Sequence, residues 1–257
     1  MRILLLISFK LFACSLLAQK ADSLLSGVYY WNKLEAKKEE TRVRRQVLEG
    51  KTFALNHFEI HATTLEAGKA PHPPHVHNDE EELVIIKEGQ VKITIAGKSR
   101  ILGPGSVAFA MPTEEHGFEN AGNTQATYYI LKYKGNTMNL QRAKDAGGSL
   151  MLDWNELKTS NTGKGYRRDF FNRPTSQLAQ FEMHTTALNA DSVSHAPHTH
   201  VQEEIILILR GNVEMYIDGK LYKGSAGDLY FVSSKVPHAL KNIGKEQCEY
   251  FAFQWRD

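Results

Sequence analysis

The sequence predicts an all-β protein, two tandem small barrels or sandwiches behind a short leader. Three observations carry the prediction. The chain repeats itself at a spacing of 123 residues, each copy consists of short apolar strands punctuated by glycine turns, and the first 18 residues run from basic to apolar. A period this long marks a duplicated domain, since solenoid units repeat every 20 to 50 residues or so.

Composition narrows the class further. The 257 residues are 42% hydrophobic and 23% charged, enough material for one large or two small cores. Lys and Arg number 31 against 29 Asp and Glu, a balance that removes any bulk electrostatic attraction to nucleic acid or to an anionic membrane. Cys14 and Cys248 are the only cysteines, so a disulfide framework is excluded.

Met1 to Ala18 reads MRILLLISFKLFACSLLA, with Arg2 ahead of an apolar run and small residues before the polar QKADS. This is the order of a secretory signal peptide, residues 1–18, and it predicts a periplasmic or secreted protein. The run is too short for a comfortable membrane span, and no later stretch reaches 18 consecutive apolar residues. Leu11 to Cys14 (LFAC) is similar to a lipoprotein box, with bulky Phe12 where a small residue is usual. Membrane association is therefore expected only if Cys14 is lipidated.

The repeat sets the domain boundaries. Trp31-Asn32-Lys33-Leu34 returns as Trp154-Asn155-Glu156-Leu157, and Phe58-Glu-Ile-His61 as Phe181-Glu-Met-His184. Arg44-Arg45 returns as Arg167-Arg168, and His72, His75 and His77 as His195, His198 and His200. After one residue drops out, the spacing becomes 122 and carries Gly89 to Gly211, Gly105 to Gly227, His116 to His238 and Asn120 to Asn242. The first domain is expected over residues 29–134, a linker over 135–152 ending near Gly147-Gly148, and the second domain over 153–257.

Within each copy, Val91–Ile95 and Val213–Ile217 alternate in the manner of strands with one buried face. Ala96-Gly97 and Asp218-Gly219 follow at once as tight hairpin turns. Leu83–Ile86 and Ile205–Leu209 are unbroken apolar runs, as expected of strands buried on both faces. Helical periodicity is persuasive only over Leu34–Leu48.

Most of the 11 histidines fall as repeat-related pairs, and they carry the chemistry. In the second copy His198, His200 and Glu204 are separated by even steps, so on a strand they would share a face, and His238 would join them from a distant strand. Three imidazoles and one carboxylate make a nitrogen and oxygen donor set suited to Mn(II), Fe(II), Ni(II) or Zn(II) with open coordination positions. The first copy offers His75, His77, Glu82 and His116. Glu81 is an alternative there; Glu82 is chosen because it stands seven residues before Gly89, as Glu204 does before Gly211.

These strings resemble the two cupin motifs, Gly-x5-His-x-His-x3,4-Glu-x6-Gly and Gly-x5-Pro-x-Gly-x2-His-x3-Asn, and two copies resemble a bicupin. Ser233 and Lys235 replace the usual Pro and Gly of the second motif, and Pro112 sits one place late in the first copy. The resemblance implies two double-stranded β-helix, or jelly-roll, barrels. The string Arg173-Pro-Thr, Phe181-Glu-Met-His184, His195-Ala-Pro-His198-Thr-His200, Glu203-Glu204 is most similar to ureidoglycine aminohydrolase-like cupins. That likeness implies Mn(II) in the second cupin and release of ammonia from a small ureido substrate; in such a hydrolase Glu204 and His195 are the expected catalytic residues, a carboxylate or His195 handling protons. An exported relative would meet a different substrate from the archetypes, which act inside cells or organelles.

Two further classes compete with the hydrolase or lyase. Fe or Mn oxidoreductases, such as quercetinase-type dioxygenases and oxalate decarboxylase, use similar ligand sets, and a non-enzymatic sugar or small-ligand binder would use the metal structurally. His61 and His184 are expected to be core residues bonded to backbone, His72 and His195 to lie at the barrel mouth, and the paired arginines to be solvated or ion-paired. Cys248 and Met111 are expected in the core. A homodimer is expected because small barrels expose edge strands.

Overall fold

The computed structural model describes residues 23–257. The leader and Cys14 lie outside the described residues. The all-β expectation holds: two barrels, each made of a seven-stranded and a three-stranded sheet. In the first barrel the strands Glu81–Glu88, Ala126–Gly135, Leu55–Leu65 and Arg42–Gly50 run side by side in the larger sheet. Glu203–Arg210, Cys248–Arg256, Gln180–Leu188 and Gly165–Arg173 occupy the matching places in the second.

Why Leu83–Ile86 is apolar throughout follows from three separate cores. Val84 and Ile86 point into the first barrel with Val91, Ile93 and Tyr128, whereas Leu83 and Ile85 point outward. The outward residues meet Ile205, Leu207, Phe181, Phe251 and Trp255 of the second barrel in one cluster between the two large sheets. Ile206 and Ile208 face the second barrel's own interior. Burying a side chain of this size stabilises the fold by about 1.5 to 3 kcal/mol, so the seam between barrels is a core in its own right.

The barrels also exchange strands. Gly27–Tyr29, which precedes the first barrel, pairs with Leu229–Phe231 of the second, and Leu150–Leu152, from the connecting segment, pairs with Val107–Phe109 of the first. Each exchanged strand leads to a tryptophan laid over a glycine of the barrel it joins. A Cβ on Gly105 would collide with the Trp154 ring, and one on Gly227 would come within 3.0 Å of Trp31. Both glycines have left-handed backbone, at φ +81° and +93°. The connecting segment also holds a short helix, Leu140–Asp145, capped by the Asn139 side chain.

The helical expectation over Leu34–Leu48 is overturned. Those residues form the strands Lys37–Lys38 and Arg42–Gly50 at the rim of the first sheet. The charge pattern there has a strand's period: Arg42 and Arg44 face the barrel cavity, while Arg45 covers Trp31 and Val47 joins the seam. The hairpin turns form as expected, with φ positive at Ala96, Gly97, Asp218 and Gly219.

Candidate metal centres

Both histidine pairs sit just ahead of a strand and are held by isolated bridges, His75 to His116 and His198 to His238. They therefore occupy extended segments outside the regular strands, anchored by the distant histidine itself. Backbone bonds of 2.9 Å run both ways between His75 and His116. Through this bridge a residue some forty positions away in sequence is fixed beside the His-x-His pair.

In the first barrel one donor atom from each of His75, His77, Glu82 and His116 lies within 4.8 Å of the others. His77 Nε2 is 3.0 Å from His75 Nε2 and 3.2 Å from Glu82 Oε2, and His116 Nε2 is 3.6 Å from Glu82 Oε1. In the second barrel His198, His200 and His238 form such a group. Glu204 stands against it, with Oε2 at 2.9 Å from His238 Nε2 and 3.4 Å from His200 Nε2, while Gln254 Nε2 donates to its other oxygen at 3.1 Å.

Hydrogen bonding sets the tautomers. Nδ1 of His116, His200 and His238 lies 2.9 to 3.0 Å from the carbonyls of Glu114, Gln202 and Val236, which can only accept. Each Nδ1 therefore carries the proton, and each Nε2 lone pair turns to the centre. Those three buried Nε2 atoms have no well-aligned hydrogen-bond partner. Buried lone pairs converging on a carboxylate are the donor pattern a divalent cation fills, so the residues fit a metal.

Electrostatics couple each carboxylate to its histidines: burial lowers His116 and His238, but Glu82 and Glu204 outweigh it and raise both. Burial opposes ionisation of Glu82, yet the nearby His116 and His77 imidazoles outweigh it and hold the carboxyl at about 2. Glu204 behaves alike: burial is overcome by His200, His238 and Gln254, and its carboxyl falls well below the usual range. His75 is pushed down to about 4, first by burial and then by His116 and His72. Burial, with His195 and His238 adding, also lowers His198.

His72 and His195 are exposed at the rim, stacked edge-on against His75 and His198 at ring separations of 4.4 and 4.0 Å. Nδ1 of His195 is 3.1 Å from the Ala196 carbonyl, so its Nε2 is free beside the second cavity. Glu81, the alternative carboxylate, points the other way and bonds Thr175 and Ser176 across the seam. Cys248 and Met111 are buried.

One expectation is corrected. His61 and His184 turn to glutamates in place of backbone: His61 Nδ1 is hydrogen-bonded to Glu59 Oε1 at 2.9 Å, and His184 Nδ1 lies 3.2 Å from Glu182 Oε1 without hydrogen-bond alignment. Glu59 is also held by Arg44 and by Lys132, and Glu182 by Arg167. The arginine pairs divide their work, since Arg44 and Arg167 are ion-paired while Arg45 and Arg168 lie over Trp31 and Trp154 at 5.2 and 3.6 Å. Sequence reasoning missed these carboxylates, although the repeated strings Phe58-Glu-Ile-His61 and Phe181-Glu-Met-His184 contain both.

Two barrels with a histidine and carboxylate cluster in each define a duplicated β-barrel protein with a candidate metal centre in each half. The cupin domain model matches residues 61–132 and again 185–253, and the chain belongs to the cupin family as a bicupin. No curated protein matches. Among solved structures, Ylba from E. coli superposes with a TM-score of 0.70 at 19% identity, covering 94% of this chain and 97% of that one. AerE from Microcystis aeruginosa gives 0.69 at 15% identity over 87% and 97%. A Lactobacillus farciminis oxalate decarboxylase formate complex gives 0.69 at 12% identity over 92% and 88%. At such identities the likeness is one of fold.

Proposed function

We propose that the protein is an exported metalloenzyme, a metal-dependent hydrolase or lyase on a small polar substrate, in the manner of ureidoglycine aminohydrolases. The observation that carries this is the convergence of lone-pair imidazole nitrogens on one carboxylate at the edge of a cavity in each barrel. When bound, a divalent metal supplies a Lewis acid and acidifies its water. Mn(II) is favoured; Fe(II), Ni(II) and Zn(II) suit the same donors. His75, His77, Glu82 and His116 would hold one ion, and His198, His200, Glu204 and His238 the other.

The chemistry is assigned to the second cupin. Its cavity is the larger, about 460 Å³ against about 320 Å³. His195 offers a free Nε2 at its edge, suited to taking or giving a proton. Gln254 holds one oxygen of Glu204 and so fixes the carboxylate's orientation toward the imidazoles. Domain limits of 29–134 and 153–257, cleavage after Ala18 and a homodimer complete the proposal, with a lipid anchor at Cys14 as the competing form of export.

A manganese oxidoreductase is the second reading. It draws on the fold shared with Bacillus subtilis oxalate decarboxylase, described with Mn(II) centres, at 14% identity and a TM-score of 0.67. The discriminating experiment supplies metal-loaded protein with ureidoglycine, related ureido compounds and oxalate, with and without O2. Ammonia release that ignores O2 and disappears with Glu204→Ala supports the hydrolase. Oxygen uptake, or carbon dioxide from oxalate, would replace it with the oxidoreductase.

A further inference from the structure

The two cavities have diverged in one direction. Superposing the repeats pairs Arg42 with Gly165, Phe118 with Leu240, Ile130 with Ala252 and Lys132 with Gln254, and at all four positions the first barrel has the larger side chain. Arg42, Phe118, Ile130 and Lys132 all line the first cavity, which accounts for its smaller volume of about 320 Å³. Two of the four changes also remove a cation.

Ion pairing amplifies that difference. In the first barrel Arg44 and Lys132 share the single carboxylate of Glu59, whereas in the second Arg167 is shared between the two carboxylates of Asp169 and Glu182. Arg42 adds a guanidinium whose Nε bonds Glu39 at 2.5 Å, leaving its terminal nitrogens unassigned. The second cavity's other cation, Lys164, turns its ammonium to the carbonyls of Val193 and Ser194 at 2.9 and 3.4 Å. Counting these groups with Glu82 and Glu204, the first cavity has three cations to three carboxylates and the second two to three.

We infer that the first barrel binds a small carboxylate anion, held between the His75-His77-Glu82-His116 cluster and the wall of Arg42, Arg44 and Lys132. Guanidinium groups recognise carboxylates through paired, charge-assisted hydrogen bonds, and a partly dehydrated cavity strengthens them. A volume of about 320 Å³ suits a small ligand. The second barrel is wider and has one cation fewer on its wall, so it holds such an anion less tightly than the first. This deepens the proposed role of the barrels as small-molecule sites, and the cationic wall acts whether or not a metal is bound.

The test titrates the full chain, metal-free and metal-loaded, with malonate and with its uncharged counterpart malonamide, by calorimetry at low salt. Malonate should bind at one equivalent and malonamide at least tenfold more weakly. Lys132→Gln and, independently, Arg42→Gln should each weaken malonate at least tenfold while melting as cooperatively as the parent, and Lys164→Gln should leave it unchanged. Malonamide binding as tightly as malonate, malonate binding that follows Lys164, or no malonate binding at millimolar concentration would overturn the inference. Metal content of the same samples separates it from the metalloenzyme proposal: protein that takes up no metal defeats that proposal, yet should still bind malonate in the first barrel.

Discussion

Glu81 and Glu82 are adjacent in one strand and face opposite ways. The Glu82 carboxylate meets His77 and His116 inside the first barrel, while Glu81 accepts bonds of 2.6 to 2.7 Å from Thr175 and Ser176 of the second. The strand's period of two thus divides one acidic pair between a candidate metal centre and the seam. The second barrel repeats the device, with Glu204 beside its histidines and Glu203 bonded to Thr52, Phe53 and Ala54 of the first.

Removing Glu81 should therefore weaken the association of the barrels without emptying the first centre. Glu81→Ala leaves Thr175 and Ser176 donors buried without partners, at a cost of about 1 to 3 kcal/mol for each group stranded. Urea denaturation should show the loss, and elemental analysis should show the parent's metal content. A loss of metal with unchanged stability would assign Glu81 to the centre instead.

Gly105 and Gly227 bear the tryptophans of the exchanged strands. Gly105→Ala forces a Cβ into Trp154 at a residue already in left-handed conformation, and it should destabilise by about 2 kcal/mol or more. Gly227→Ala, with 3.0 Å to Trp31, should cost less. Thermal melting of the two variants checks the order.

Acid should destabilise the metal-free protein. The close approach of His184, joined by Arg167, outweighs burial and holds Glu182 at about 2; burial of Glu59 is outweighed by His61 and Lys132, which keep it well below the usual range. Burial lowers His61 in turn. With folded values below the ordinary 4.5 and 6.5, the unfolded chain binds more protons, so these groups stabilise the fold above those values and lose that effect as pH falls. Glu81, His116 and His238 run the other way, because burial raises the Glu81 carboxyl and Glu82 and Glu204 raise the two histidines against burial, so these contributions are lost as pH rises. The melting temperature should fall from pH 7 to pH 4, and Glu81→Gln should steepen the fall. A flat profile would contradict the assignment.

The site residues that motif spacing selects are legible because the duplication states them twice, once in each copy. Counting seven residues back from Gly89 and from Gly211 finds Glu82 and Glu204 even though the preceding loop differs by one residue. Lys132 and Gln254 escape such counting, since only the pairing of Lys132 with both Glu59 and Glu82 shows that it stands between them. Leu150–Leu152 is too short for any periodicity, and its place in the first sheet depends on Trp154 finding Gly105. Leu34–Leu48 misleads because Arg42 and Arg44 line a cavity while Arg45 covers Trp31, so charge on a strand imitates the polar side of a helix.

Elemental analysis of protein purified without a metal column and supplied with Mn(II) tests the central claim most directly. Two equivalents per chain are expected, falling to one in His75→Ala and to one in Glu204→Ala, because each variant removes a donor from a different barrel. A parent protein that binds no metal, or a metal content that neither substitution changes, would contradict the account.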